Sequence, residues 1–105
     1  MIRRITLQTT YGPIETEAQI VAPGLALHNE SGRLTPAGKY WRRYWRLTQV
    51  RSGLFVAGAT SRAVALRVAA SVGPLADWRR PRTKLPSGFA AAVYNAGGTM
   101  WQPNP

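Results

Sequence analysis

Tyr40-Trp41-Arg42-Arg43-Tyr44-Trp45-Arg46-Leu47-Thr48-Gln49-Val50, the turn Arg51-Ser52-Gly53, and Leu54-Phe55-Val56-Ala57 decide the fold. Read with a period of two, Tyr40, Arg42, Tyr44, Arg46 and Thr48 share one side of a strand, and Trp41, Arg43, Trp45 and Leu47 share the other. A Ser-Gly turn followed by a second apolar run then predicts an antiparallel hairpin.

Upstream, the same alternation predicts another hairpin. Over residues 2–10, Ile5 and Leu7 fall on one face, with Arg4, Thr6 and Gln8 on the other. Tyr11-Gly12-Pro13 is a turn signal. Residues 14–21 resume the period, with Ile14, Thr16, Ala18 and Ile20 opposite Glu15, Glu17 and Gln19. Ala22-Pro23-Gly24 ends that strand, residues 25–28 form a short third one, and residues 29–38 are rich in turn formers and predict a surface loop.

Downstream, Thr60-Ser61 offers a hydroxyl N-cap before an Ala/Val/Leu run, so a helix is expected over 61–72. Val64, Val68, Val72 and Leu75 give it one apolar stripe, and only Arg62, Arg67 and Ser71 are polar. Most of its circumference should therefore be covered, by a sheet or by a sheet and a second subunit. Gly73-Pro74 suits a left-handed C-cap and a stop. Residues 79–86, Arg-Arg-Pro-Arg-Thr-Lys-Leu-Pro, have no period and read as an extended basic arm. Residues 89–94 fit either a short strand or a helical turn. The expected fold is α+β: an antiparallel sheet of four to five strands in two hairpins, one C-terminal helix packed on it, and a flexible C-terminal tail. Residues 1–78 form the single domain in this reading, and 79–105 the arm and loosely ordered tail.

The chain has 105 residues, 45% of them apolar, which suits one globular domain. No apolar run approaches the roughly 20 residues that span a bilayer. The N-terminus alternates with polar residues from the start, unlike a signal peptide. A cytoplasmic protein with no membrane partner is expected. With no cysteine and one histidine, disulfides and thiolate metal sites are excluded, and neither metal nor cofactor is expected. Neither phosphate-loop glycine pattern occurs, and His28 has no nucleophile or carboxylate at motif spacing, so no enzyme activity is expected. Glu15 and Glu17, about 7 Å apart along one strand face, read as solvent-facing residues or as partners for Arg3 and Arg4.

Charge carries the functional reading. The formal net charge is +10, from 14 cations, 12 of them arginine, against four carboxylates. It is regional: residues 33–84 hold 12 cations against Asp77 alone, whereas residues 1–32 hold two arginines against three glutamates. Such a concentration suits a polyanion, because the arginine fork donates two parallel hydrogen bonds to phosphate or carboxylate. Within residues 39–46, rings alternate with cations as they do where bases stack and phosphates pass between them. The expected platform is Lys39, Tyr40, Arg42, Arg43, Tyr44 and Arg46, with Trp45 and Leu47 facing the core. Arg79, Arg80, Arg82 and Lys84 would close over the ligand as a clamp. The function expected is nucleic-acid binding, single-stranded or non-specific DNA above all. An acidic host protein, inhibited or redirected by the same Arg/aromatic surface, is the alternative partner. A homodimer paired through the helix is compatible with either.

Trp45-Arg46-Leu47-Thr48-Gln49-Val50-Arg51-Ser52-Gly53-Leu54, followed by the alanine-rich helix and Ala76-Asp77-Trp78, resembles a core shared by short uncharacterised phage and mobile-element proteins. The resemblance covers about 35 residues and implies no activity; it implies that Asp77 and Trp78 close the domain. The element order is similar, in topology alone, to single-stranded-DNA-binding modules of the Whirly and transcriptional positive-cofactor type. Those pair through a helix and bind on a curved sheet.

Overall fold

The computed structural model describes residues 2–9, 12–29, 44–80 and 84–100. Five strands, β1 (Ile2–Thr9), β2 (Gly12–Ala22), β3 (Leu25–Asn29), β4 (Trp45–Gln49) and β5 (Phe55–Ala59), form one antiparallel sheet in the order β1-β2-β3-β4-β5. Helix α1 (Arg62–Val72), a turn of 3-10 helix (Gly73–Leu75) and helix α2 (Phe89–Asn95) follow. The α+β architecture is the one read from the strand alternation and the capped apolar run. The expected loop over 29–38 lies, beyond Asn29, outside the described residues, as do Tyr11, residues 40–43 of the expected long strand, residues 81–83 and the tail after 100.

Both faces of the sheet carry buried residues, by different means, although one face of the β1–β2 hairpin stays exposed at Arg4, Thr6, Gln8 and Glu15. On the outer face Leu25, Leu47, Val56 and Ala57 pack under Val68, Ala69 and Val72 of α1, joined by Trp78, Phe89 and Val93. Burying a valine or leucine side chain is worth about 1.5–3 kcal/mol relative to exposure, so this layer is the main source of stability. The inner face holds Ile5, Leu7, Ala18 and Ala26. It is closed by curvature: the Gln8 N–H donates to the Gly53 carbonyl at 2.9 Å, tying β1 to the turn between β4 and β5. The first strand of a five-strand meander reaches that turn only if the sheet curls. Gly53 permits the contact, with φ +72° and no room for a Cβ against the Thr6 carbonyl. Bulges after Ile20 and after Leu47 add twist where the curl needs it.

Helix α1 starts as its sequence predicts. Ser61 is extended (φ −140°) and its hydroxyl accepts from the Val64 N–H at 3.2 Å. One expectation changes. Ala65, Val68, Ala69 and Val72 are buried against the sheet, and Ala63, Arg67, Ala70 and Ser71 are exposed within the single chain. Gly73 is right-handed (φ −52°), not left-handed. Its N–H donates to Ala69 O, and Pro74, whose fixed φ suits a helical first turn, carries the chain on as 3-10 helix to Leu75.

The chain after Trp78 returns to the core. Residues 89–95 are helical, Phe89 and Val93 are almost wholly buried in the outer-face core, and Thr99 exchanges two 2.8 Å backbone hydrogen bonds with Gly58 on the edge of β5. Residues 89–99 therefore pack with the sheet and α1. A polar arm with few apolar residues hid a return of the chain to the core.

Candidate functional site

Strand β4 places the two described members of the expected platform. Tyr44 and Arg46 do share a face, but it is the inner one, and they are 4% and 2% exposed. Trp45 and Leu47 point outward under α1, half-buried and buried, as expected. The Tyr44 ring lies on Gly58, where any Cβ would collide with its hydroxyl end. Arg46 Nε donates to Thr48 Oγ1 at 3.0 Å, its Nη2 lies 3.5 Å from Gly53 O, and its guanidinium stands 5.6 Å from the centre of the Phe55 ring. His28 is buried directly opposite Arg46 in the β3–β4 register. These residues are interior, and the platform expectation is corrected at Tyr44 and Arg46. The cause is the curl, which turns into an inside a face that would be open on a flat sheet. Lys39, Tyr40, Arg42 and Arg43 lie outside the described residues.

The arm behaves oppositely. Its start is fixed by Trp78, whose indole N–H donates to Val72 O at 3.0 Å and whose ring meets Phe89 with centroids 5.9 Å apart. Gln49 holds the main chain from the sheet side, with Nε2 donating to Trp78 O at 2.8 Å and Arg80 O at 2.9 Å. Ser52 Oγ in turn donates to Gln49 Oε1 at 2.8 Å. A continuous set of hydrogen bonds thus runs from the β4–β5 turn, which carries exposed Arg51, to the arm. A groove between them is lined by Leu54, Phe55, Trp78, Lys84 and Leu85.

The arm's backbone is anchored while its cations are exposed. The Arg79 and Arg80 side chains are 70% and 81% accessible, and Lys84 is exposed. Arg82 lies outside the described residues. Asp77 organises the pair: its Oδ1 accepts from the Arg79 N–H at 3.1 Å and from Arg79 Nε at 3.0 Å. Its Oδ2 stands 3.3 Å from Arg80 Nε. The hydrogen bond from the Arg79 side chain, then that from the Arg79 N–H, hold the Asp77 carboxyl below the ordinary carboxylate range. The same contact raises the Arg79 guanidinium above its ordinary value.

The other charges lie elsewhere. Arg4 meets Glu15 diagonally across β1–β2 at 3.0 Å, an exposed pair of the kind expected for Glu15 and worth at most about 1 kcal/mol. Arg62 donates to the Gln19 side chain at the start of α1. Among the described residues no group of three or more acidic or histidine side chains could hold a metal ion, and no helix is long and apolar enough to cross a membrane.

Gln49, Ser52 and Asp77 were not among the candidate binding residues read from the sequence, where Asp77 was expected only to close the domain with Trp78. Gln49 had a signal: it shares strand parity with Trp45 and Leu47, so a polar residue stood at a core-facing position. Asp77 had one too, as the sole acid of a strongly basic region with arginines two and three residues on. Compared with protein-family models, curated proteins and solved structures, the chain matches none of them.

Proposed function

We propose that the protein binds nucleic acid without reading its sequence, through the exposed cations of the arm and the neighbouring turn. The observation that carries this reading is the arrangement at 77–80: the main chain is pinned to the sheet by Gln49, while Arg79 and Arg80 reach into solvent from adjacent positions. Fixing the backbone reduces the entropy lost when such side chains grip a ligand. Arg51 and Lys84 are exposed as well, Lys84 on the groove that Trp78 also lines. Among the described aromatic residues only Tyr94, on α2, is exposed, so the arm offers phosphate contacts rather than a stack of rings. Binding led by phosphates is indifferent to sequence and falls steeply with salt, as counterions are no longer released at a gain.

The test is a fluorescence-anisotropy titration of labelled single- and double-stranded oligonucleotides at low and moderate salt. Wild type is compared with Arg79→Ala/Arg80→Ala/Lys84→Ala. The expected result is salt-dependent binding, similar across sequences, that the triple variant loses while its circular dichroism is unchanged. Absence of binding by the wild type, or full affinity in the variant, would contradict the reading and turn attention to an acidic protein partner.

A further inference from the structure

Asp77 looks misplaced in a phosphate-binding surface, because its charge repels the ligand. Its geometry suggests a different part. A guanidinium has two hydrogen-bonding edges, one containing Nε and one formed by the two Nη groups. Asp77 accepts a hydrogen bond from Arg79 Nε through Oδ1 at 3.0 Å and forms an ion pair with Arg80 through Oδ2, 3.3 Å from its Nε. The Nη groups of Arg79 and Arg80 have no partner among the described residues. The Asp77 carboxylate is itself oriented by the Arg79 N–H, which closes an Asx turn, and the Arg80 N–H donates to Asp77 O at 3.2 Å. One anchored carboxylate therefore holds Arg79 by a hydrogen bond and Arg80 by charge, and both side chains remain largely accessible.

Resting on the nucleic-acid reading above, we infer that Asp77 is a positioning residue that presents Arg79 and Arg80 as a two-arginine clamp for the paired oxygens of backbone phosphates. Without it each long side chain samples many rotamers and must be ordered by the ligand. The inference makes a prediction opposite in sign to net charge. Asp77→Asn removes a negative charge from a protein of net charge +10, so simple electrostatics requires tighter binding to a polyanion. Loss of the clamp requires weaker binding. Asparagine keeps the oxygen that accepts the Arg79 N–H, but turns an amide donor toward Arg80 Nε, so the turn is preserved and the second fork is released.

The experiment titrates pyrophosphate into wild type and Asp77→Asn, following the Arg79 and Arg80 Nε–H signals by NMR; the oligonucleotide titration is run alongside. The expected result is two dispersed Nε–H signals in the wild type that shift with pyrophosphate. In Asp77→Asn they move toward the positions of unrestrained arginines, and affinity falls about threefold, as befits an exposed ion pair. A variant that binds pyrophosphate equally or more tightly overturns the inference, as does a wild type whose two signals do not respond. If pyrophosphate behaves as expected and the oligonucleotide does not bind, the clamp stands and the nucleic-acid reading fails.

Discussion

Arg46 on β4 and Arg80 in the arm carry the same guanidinium into opposite surroundings. Arg46 is 2% exposed, hydrogen-bonded to Thr48 and set near the Phe55 ring. Arg80 has an 81% accessible side chain, paired by charge alone with Asp77 at 3.3 Å. Each belongs to an arginine-rich segment with a tryptophan one or two residues away, and charge alone does not separate them. Tertiary geometry does. The curl of the sheet makes one face an interior, where a charge can serve only as an internal staple. Residues 78–80 have their main chain fixed by Gln49 at the end of β4, with the Arg79 and Arg80 side chains in solvent. Basic character in a sequence becomes a binding surface only where the fold leaves it presented.

The comparison can be broken most forcefully at Trp78. Trp78→Ala removes the ring that joins the outer-face core to the arm, together with its bond to Val72 O. A loss of about 3–5 kcal/mol in a urea unfolding titration is expected. Gln49→Ala should cost less, about 1–3 kcal/mol, because it leaves the buried Trp78 carbonyl without its donor. It should also weaken oligonucleotide binding, since Arg80 loses its backbone anchor. Arg79→Ala/Arg80→Ala should leave the urea unfolding midpoint essentially at its wild-type value, as exposed substitutions do. A large loss there would place the arm cations in the same class as Arg46.

The smallest effect concerns Asp77. Its carboxyl lies below 3.8, the ordinary value, through the Arg79 side-chain bond first and the Arg79 N–H second. A depressed carboxylate contributes stability that is fully present above its unfolded value and lost as pH falls through the folded one. The clamp should therefore persist from neutral pH down past 3.8 and open only in stronger acid. Titration of the Asp77 side-chain carbon by NMR should give a midpoint below 3.8 in wild type, returning toward it in Arg79→Ala.

Much of the architecture was legible because it rests on local rules. Alternation at Ile5 and Leu7, the turn at residues 51–53 and the Ser61 cap each act within a few residues, and each appears where expected. The fate of Tyr44 and Arg46 depends on a hydrogen bond between Gln8 and Gly53, 45 positions apart, and no period along β4 encodes it. The glycine at position 58 was the nearest signal, since a glycine within a strand marks a close approach, here by the Tyr44 ring. The basic arm was legible as charge, but its anchoring was not. Gln49 looks like any strand glutamine until Trp78 O and Arg80 O are seen against it. Likewise, α2 follows a stretch without period, and its two buried residues, Phe89 and Val93, are too few to announce a helix.

The central claim is that position, not charge, decides which arginines bind. It is tested most directly by two variants that each remove one guanidinium, Arg46→Met and Arg80→Met. Each is measured for oligonucleotide affinity against salt, at a temperature where both are folded. The account predicts that Arg80→Met lowers affinity and flattens the salt dependence by roughly 0.7 in logarithmic slope, the contribution of one single-strand phosphate contact. Arg46→Met should change the melting temperature and leave the slope at its wild-type value. Equal losses in the two variants, or a loss confined to Arg46→Met, would contradict it.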